Sequence, residues 1–273
     1  MNVYFVQTGL NKDVCIQQAQ DTLKLFGLEF AQLYRGNIVQ IPFCHRNFDG
    51  EVPTEGIKGY ANFSKVVTDR LAFHRSLYNS EPAYIYLDYE PKLGPNGEPF
   101  LITDYMPSAN CLLDIVYRSQ IVRAKGSSSG FGMWSLGKHL GRGRHTPEQL
   151  APVSSVIAAA GASVVFPNYY PRVHNDDHQT IVDSDFAWWT ETVGIPRERL
   201  FPCVQFRVKH QEVMDPNDAY TLIRAVRSKY NNMVIWMQAE EPSQIELWNS
   251  YHRPVAEAVR DAVAEAPKPQ SRG

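Results

Sequence analysis

The chain of 273 residues carries only four cysteines, Cys15, Cys44, Cys111 and Cys203, and they lie far apart. A C-x-x-C pair is therefore absent, which excludes zinc ribbons and thioredoxin-type redox centres. Four cysteines in a chain of this length also fall short of a disulfide scaffold, so they read as reduced thiols. An excess of one charge is missing as well. The 27 Lys and Arg stand against 29 Asp and Glu, a formal net charge of −2. A general nucleic-acid binder needs a strongly basic surface, so no nucleic-acid partner is expected. No run approaches the ~18 continuous apolar residues of a membrane span, so no membrane partner is expected either. The first residues, Met1-Asn2-Val3-Tyr4-Phe5-Val6-Gln7, lack the basic start and long apolar stretch of a secretory signal. That leaves the compartment open, with the cytoplasm and a virion as two candidates. Neither a G-x-G-x-x-G phosphate turn nor a G-x-S-x-G nucleophile elbow occurs. No cofactor is expected.

What is present is an ordinary globular composition, 44% hydrophobic, 21% charged and 12% aromatic, with enough apolar mass for a large core. Short β-rich runs at 3–7, 37–43, 83–88, 130–135, 163–167, 201–208 and 233–238 alternate with helical patterns. Those patterns cover 12–26, 62–77, 108–125, 146–160, 177–192, 215–229 and 242–264. In 62–77 the apolar members Val66, Val67, Leu71 and Phe73 fit a 3.6-residue period. Thr146-Pro147 and Asp215-Pro216 put a capping residue before Pro at the first helical position. In 108–125, Leu112, Leu113, Ile115, Val116 and Ile121 form the expected buried side. Strand and helix alternate seven times, which implies parallel strands joined by crossover helices.

Two closures of that pattern compete. A doubly wound open sheet carries a glycine-rich turn after its first strand, whereas this chain has Thr8-Gly9-Leu10-Asn11-Lys12 there. Its strands end instead in polar or aromatic residues, including Gln7, His45, Asp88, Ser135, Tyr169, Arg207 and Gln238. Functional side chains at the C-terminal ends of many strands are what a barrel presents. The expected fold is therefore α/β, a (β/α) TIM-like barrel with seven or eight parallel strands. It forms one domain over 1–266, with a flexible tail at 267–273. The pattern leaves the oligomeric state open.

The chemistry concentrates in Tyr84-Ile85-Tyr86-Leu87-Asp88-Tyr89-Glu90-Pro91. Strand alternation puts Tyr84, Tyr86, Asp88 and Glu90 on one side and Ile85, Leu87 and Tyr89 on the other. The apolar pair suits the helix side, so both carboxylates should face the barrel mouth. Two close carboxylates raise the proton affinity of one of them, giving a general acid beside a charged neighbour, as glycoside hydrolysis requires. The competing possibility is a strand-end acidic pair held by Arg46 or Arg207.

These residues carry a resemblance. Gly50-Glu51-Val52-Pro53, a helix, and a strand ending Asp88-Tyr89-Glu90 resemble the hyaluronidase family of glycoside hydrolases, where a G-x-x-P loop and a helix precede D-W-E. Further landmarks follow in the same order. Ile38 to Arg46 is similar to the family's second strand, Gly132-Met133-Trp134-Ser135 to its aromatic fourth, and Val165-Phe166-Pro167-Asn168-Tyr169-Tyr170 to Y-P-S-I-Y. Cys203-Val204-Gln205-Phe206-Arg207 is similar to F-A-Y-T-R, and Met233-Val234-Ile235-Trp236 to the last strand. The resemblance implies a distorted seven-stranded barrel that cleaves a polysaccharide, acidic ones included. Glu90 would be the general acid, and Asp88 would orient the substrate's 2-acetamido group, itself the nucleophile. Trp236 would be the floor under the reacting sugar, and Tyr169, Gln205, Tyr86, Arg46 and Arg207 would complete the substrate contacts.

Two positions depart from the family. Gln205 stands where the family has Tyr, and Phe166 lacks the hydroxyl of the family's first Y-P-S-I-Y tyrosine. Both changes bear on N-acetyl recognition. They also motivate the alternative of a non-catalytic carbohydrate-binding or structural barrel subunit of a virion or cell-surface assembly.

Other clusters carry less. Glu240 and Glu241 precede Pro242 and read as the acidic first turn of a helix, with a second catalytic carboxylate as the competing role. Lys138, His139, Arg142, Arg144 and His145 form a basic loop that could rim the mouth for an acidic polymer, or stand solvated. His174-Asn175-Asp176-Asp177-His178 lacks the fixed spacing of a metal motif, so Asp176 or Asp177 reads as an N-cap and no metal is expected. Trp188-Trp189 falls in a helix, which puts at least one of the two in the core.

Overall fold

In the computed structural model, the residues described are 2–7, 37–43, 56–89, 109–134, 153–169, 177–204, 214–237, 257–258 and 260–261. Eight strands lie within them. They are β1 (Asn2–Gln7), β2 (Asn37–Phe43), β3 (Tyr84–Tyr89), β4 (Gly130–Trp134), β5 (Val164–Phe166), β6 (Asn168–Tyr169), β7 (Cys203–Val204) and β8 (Asn232–Met237). Their order is β5-β4-β3-β2-β1-β8-β7-β6, and every pairing is parallel.

The ends of that order, β5 and β6, are consecutive in the chain and separated by Pro167 alone. Proline has no N–H to give to a ladder, so the strand is interrupted there. The stretch still bonds on its other side. Phe201 N–H donates to the Val165 carbonyl at 2.8 Å, and Cys203 N–H donates to the Pro167 carbonyl at 2.6 Å. One broken strand thus pairs with β4 on one flank and β7 on the other, and the sheet closes into a barrel of seven strand positions. The choice between seven and eight strands reduces to whether the two halves around Pro167 are counted once or twice.

The helices between the strands are α1 (Gly56–Tyr78), α2 (Ala109–Lys125), α3 (Val153–Ala160), α4 (His178–Ala187) and α5 (Pro216–Lys229). No helix among the described residues is long and apolar enough to cross a membrane. Asp215 caps α5, accepting from Asn217 N–H at 2.9 Å ahead of Pro216. Asp177 caps α4, accepting from Thr180 N–H at 3.1 Å. Both starts are the side-chain-to-backbone bonds that satisfy the orphan donors of a first turn.

The buried face of α1 runs Phe63, Val67, Leu71, His74 and Tyr78, a 4-4-3-4 spacing along one helical stripe. Val66, expected among its apolar members, is 38% exposed and lies off that stripe. In α2 Ile115 is buried, while Val116 and Ile121 are only half-buried. Arg118 is buried and stacks its guanidinium over the Phe63 ring at 4.8 Å, tying α2 to α1. Trp188 and Trp189 are both buried, in a π turn that continues α4.

Candidate active site at the C-terminal ends of the strands

Aromatic contacts define the lumen. Tyr4 of β1 meets Tyr84 of β3 at 5.5 Å between ring centroids and Phe201 at 5.2 Å. Tyr86 of β3 meets Phe166 of β5 at 4.9 Å, edge to face. Strands β1 and β3 are not neighbours in the sheet, so these rings can meet only across the barrel interior. A Cβ at Gly132 of β4 would collide with the Phe166 ring, so glycine makes room for that ring inside. On the opposite parity, Ile85 packs outward under the turn after α2, where a Cβ at Gly126 would strike it.

Paired residues of parallel strands share a face, so the ladder carries the lumen assignment around the barrel. Val6 pairs with Ile38 and with Trp236, Gln40 with Tyr86, and Pro42 with Asp88. Tyr86 pairs with Gly132, Trp134 with Phe166, and Asn168 with Cys203. Asp88 and Trp236 therefore occupy lumen-parity positions in the C-terminal halves of β3 and β8. Tyr86 is 1% exposed and sits two residues below Asp88, packed into the lumen.

The remaining expected positions fall differently. Glu90, Arg46, Gln205 and Arg207 lie outside the described residues, as do Glu240, Glu241 and the basic loop from Lys138 to His145. Tyr169 is corrected. It is buried, and its hydroxyl is hydrogen bonded to the Tyr230 hydroxyl at 2.7 Å. Phe166 holds the lumen, so two residues on it is Asn168, not Tyr169, that shares its parity. Tyr169 instead joins Tyr230 and Phe186 in the layer between barrel and helices. Burial and the nearby Asp185 carboxylate raise the pKa of both tyrosine hydroxyls well above the usual range, so they stay protonated and share a hydrogen bond.

The same parity count adds Trp134 and Asn168 to the lumen-parity positions at the C-terminal ends. Period-two alternation applied strand by strand identifies both without a structure. Asp177 serves as a cap. His178 is buried, with its Nε2 3.9 Å from a carboxylate oxygen of Asp218. Among the described residues no group of three or more His, Cys, Asp or Glu stands together as a cation site.

Closed parallel strands with crossover helices, and polar positions gathered at the C-terminal ends, define the class: a TIM-type (β/α) barrel, the fold of many glycoside hydrolases. Comparison with solved structures gives the same class. The chain is similar to bee venom hyaluronidase in complex with a hyaluronic acid tetramer, at 11% identity over 96% of this chain and 99% of that one, with a TM-score of 0.66. It is similar to a broad-specificity endoglucanase from an uncultured bacterium, at 10% identity over 97% and 82% of the two chains, with a TM-score of 0.56. It is also similar to xylanase A of P. fluorescens subsp. cellulosa in complex with xylopentaose, at 10% identity over 96% and 97%, with a TM-score of 0.54. No protein-family model matches the chain. No curated protein matches it in sequence.

Proposed function

We propose that the chain is a glycosidase that cleaves a polysaccharide at the C-terminal mouth of the barrel. The observation that carries this reading is the parity of β3. Tyr84 and Tyr86 face the lumen, and Asp88 occupies the next position of that series. Glu90 follows it in the sequence at the same period of two. The shared barrel fold supports it, since the similar solved structures are a hyaluronidase, an endoglucanase and a xylanase.

In this reading Glu90 is the general acid that protonates the leaving glycosidic oxygen. Asp88 is its charged neighbour and raises the proton affinity of Glu90. On a substrate bearing a 2-acetamido group, Asp88 would orient that group as the internal nucleophile. The reaction would then retain configuration without an enzyme nucleophile. Trp236 would form the apolar floor under the reacting sugar, with Trp134 and Asn168 at lumen-parity positions on other strands of the same mouth. A panel of neutral and acidic polysaccharides, read by product size and by the anomer first released, tests both levels. Shortened products with retained configuration are expected. Inverted products would reject the substrate-assisted mechanism while keeping the glycosidase.

One observation favours a second reading. Phe166 offers no hydroxyl and packs its ring against Tyr86 and Phe201. A lumen lined this way suits a carbohydrate-binding barrel without turnover. Glycan binding with no cleavage of any bound glycan would select that reading.

A further inference from the structure

We propose that the N-terminal face of the barrel carries a second ligand site, for a small hydroxylated organic oxyanion. An open groove of about 540 Å³ lies between the C-terminal end of α2, the start of β4 and the turn between α3 and β5. That volume suits a small molecule better than a bare inorganic ion. Its lining includes Gln120, Arg123, Ser127, Ser129, Gly161 and Ser163, with no acidic residue among the described residues that line it.

Arg123 is the charged group of the lining, and it has no ion pair among the described residues. Its guanidinium lies over Gly161, 2.5 Å from where a Cβ would stand, and Gly161 has φ +66°. Left-handed backbone and the missing side chain both point to glycine there, and together they seat the arginine. The far wall is rigid. The Ser163 hydroxyl accepts from Phe131 N–H at 3.2 Å and donates to the Phe131 carbonyl at 2.9 Å. Arg199 donates to the Ser163 and Ala162 carbonyls at 2.8 and 2.7 Å, adding a second positive charge beside the groove.

An independent observation marks the same place. The Ser129 hydroxyl oxygen is shielded from solvent and has no hydrogen-bond partner among the described residues. A hydroxyl without a partner and a guanidinium without an ion pair, both among the described residues lining one groove, supply donors that an oxyanion can take up. Gln120 and Ser127 supply further donors and acceptors suited to hydroxyls of the ligand body.

The site is separate from the mouth. Gly130 in its wall pairs with Tyr84 at the start of β3, four residues below Asp88. That is about 13 Å of strand. Between them the Tyr84 ring covers Gly130. The proposal therefore stands or falls independently of the glycosidase reading.

Isothermal titration calorimetry of the full chain at low ionic strength tests it. Gluconate and glucose 6-phosphate serve as probes that separate a carboxylate from a phosphate head group. Saturable binding of at least one probe is expected. Arg123→Gln should weaken it on the order of ten-fold or more, and Ser129→Ala by a smaller factor. Lys65→Gln, a loss of charge at an exposed α1 residue outside the groove lining, should leave it within about two-fold, since exposed surface charge is screened. Circular dichroism checks that each variant is folded. Absence of saturable binding of either probe, undiminished affinity in Arg123→Gln, or an equal loss in Lys65→Gln would overturn the proposal.

Discussion

Acidification from pH 7.5 to 5 should remove about 2 kcal/mol of folding stability through a single side chain, His74. Its imidazole is 3% exposed, on the buried stripe of α1. Nδ1 lies 3.1 Å from the Ser80 carbonyl. A carbonyl can only accept, so Nδ1 carries the one proton of a neutral ring. Nε2 is buried without a hydrogen-bond partner among the described residues, so a second proton there would place a charge with no acceptor. Burial accordingly pushes the His74 pKa down to about 4, against the smaller upward pulls of the Ser80 bond and the Glu81 carboxylate. The unfolded chain takes up its proton near pH 6.5 and the folded chain only near 4. Between those values the unfolded state binds more protons, so stability is full above pH 6.5 and falls as pH falls. At pH 5 the loss reaches about 2 kcal/mol, and it rises to about 3 kcal/mol at pH 4 and somewhat further below that. Urea unfolding of the parent chain and of His74→Asn, at both pH values, isolates the term from every other titrating group. The variant keeps an N–H donor for Ser80 and loses the titration. Its stability should change with pH by about 2 kcal/mol less than the parent's. Equal pH dependence in the two proteins would refute the reasoning.

Two further predictions concern packing. Gly132→Ala puts a methyl group into the Phe166 ring and Val164, an overpacking that should cost about 1–3 kcal/mol, read as a lowered melting temperature. Tyr230→Phe alone should cost about 1–3 kcal/mol, because it strands the buried Tyr169 hydroxyl. The double variant Tyr169→Phe with Tyr230→Phe should cost less than the sum of the two single changes. A double-mutant cycle measures that coupling, and strict additivity would mean the hydroxyls do not depend on each other.

How much of this was legible in the sequence depends on whether a property is local. The alternation on β3 is local. Tyr84 and Tyr86 against Ile85 and Leu87 already separate lumen from helix layer, and the cross-barrel rings agree. The two caps, Asp177 and Asp215, are local as well, since each bonds within three residues of itself. The phase of α1 was not readable from Val66, Val67, Leu71 and Phe73, because two members of the true stripe are His74 and Tyr78. Residue chemistry hides such positions. Tyr169 reads from the sequence as a substrate contact, but its ring and hydroxyl meet Tyr230, 61 residues along the chain. Counting parity from Phe166 through Pro167 would have pointed to Asn168. The burial of Arg118 and Asp185 depends on tertiary partners and leaves no periodic signal.

The claim that this barrel is a glycosidase with its acid on β3 is tested most directly by Glu90→Gln. Turnover of any polysaccharide the parent chain shortens should fall about 100-fold or more, the contribution of a general acid, with melting temperature and glycan affinity retained. Undiminished cleavage in the Glu90→Gln variant would contradict the account.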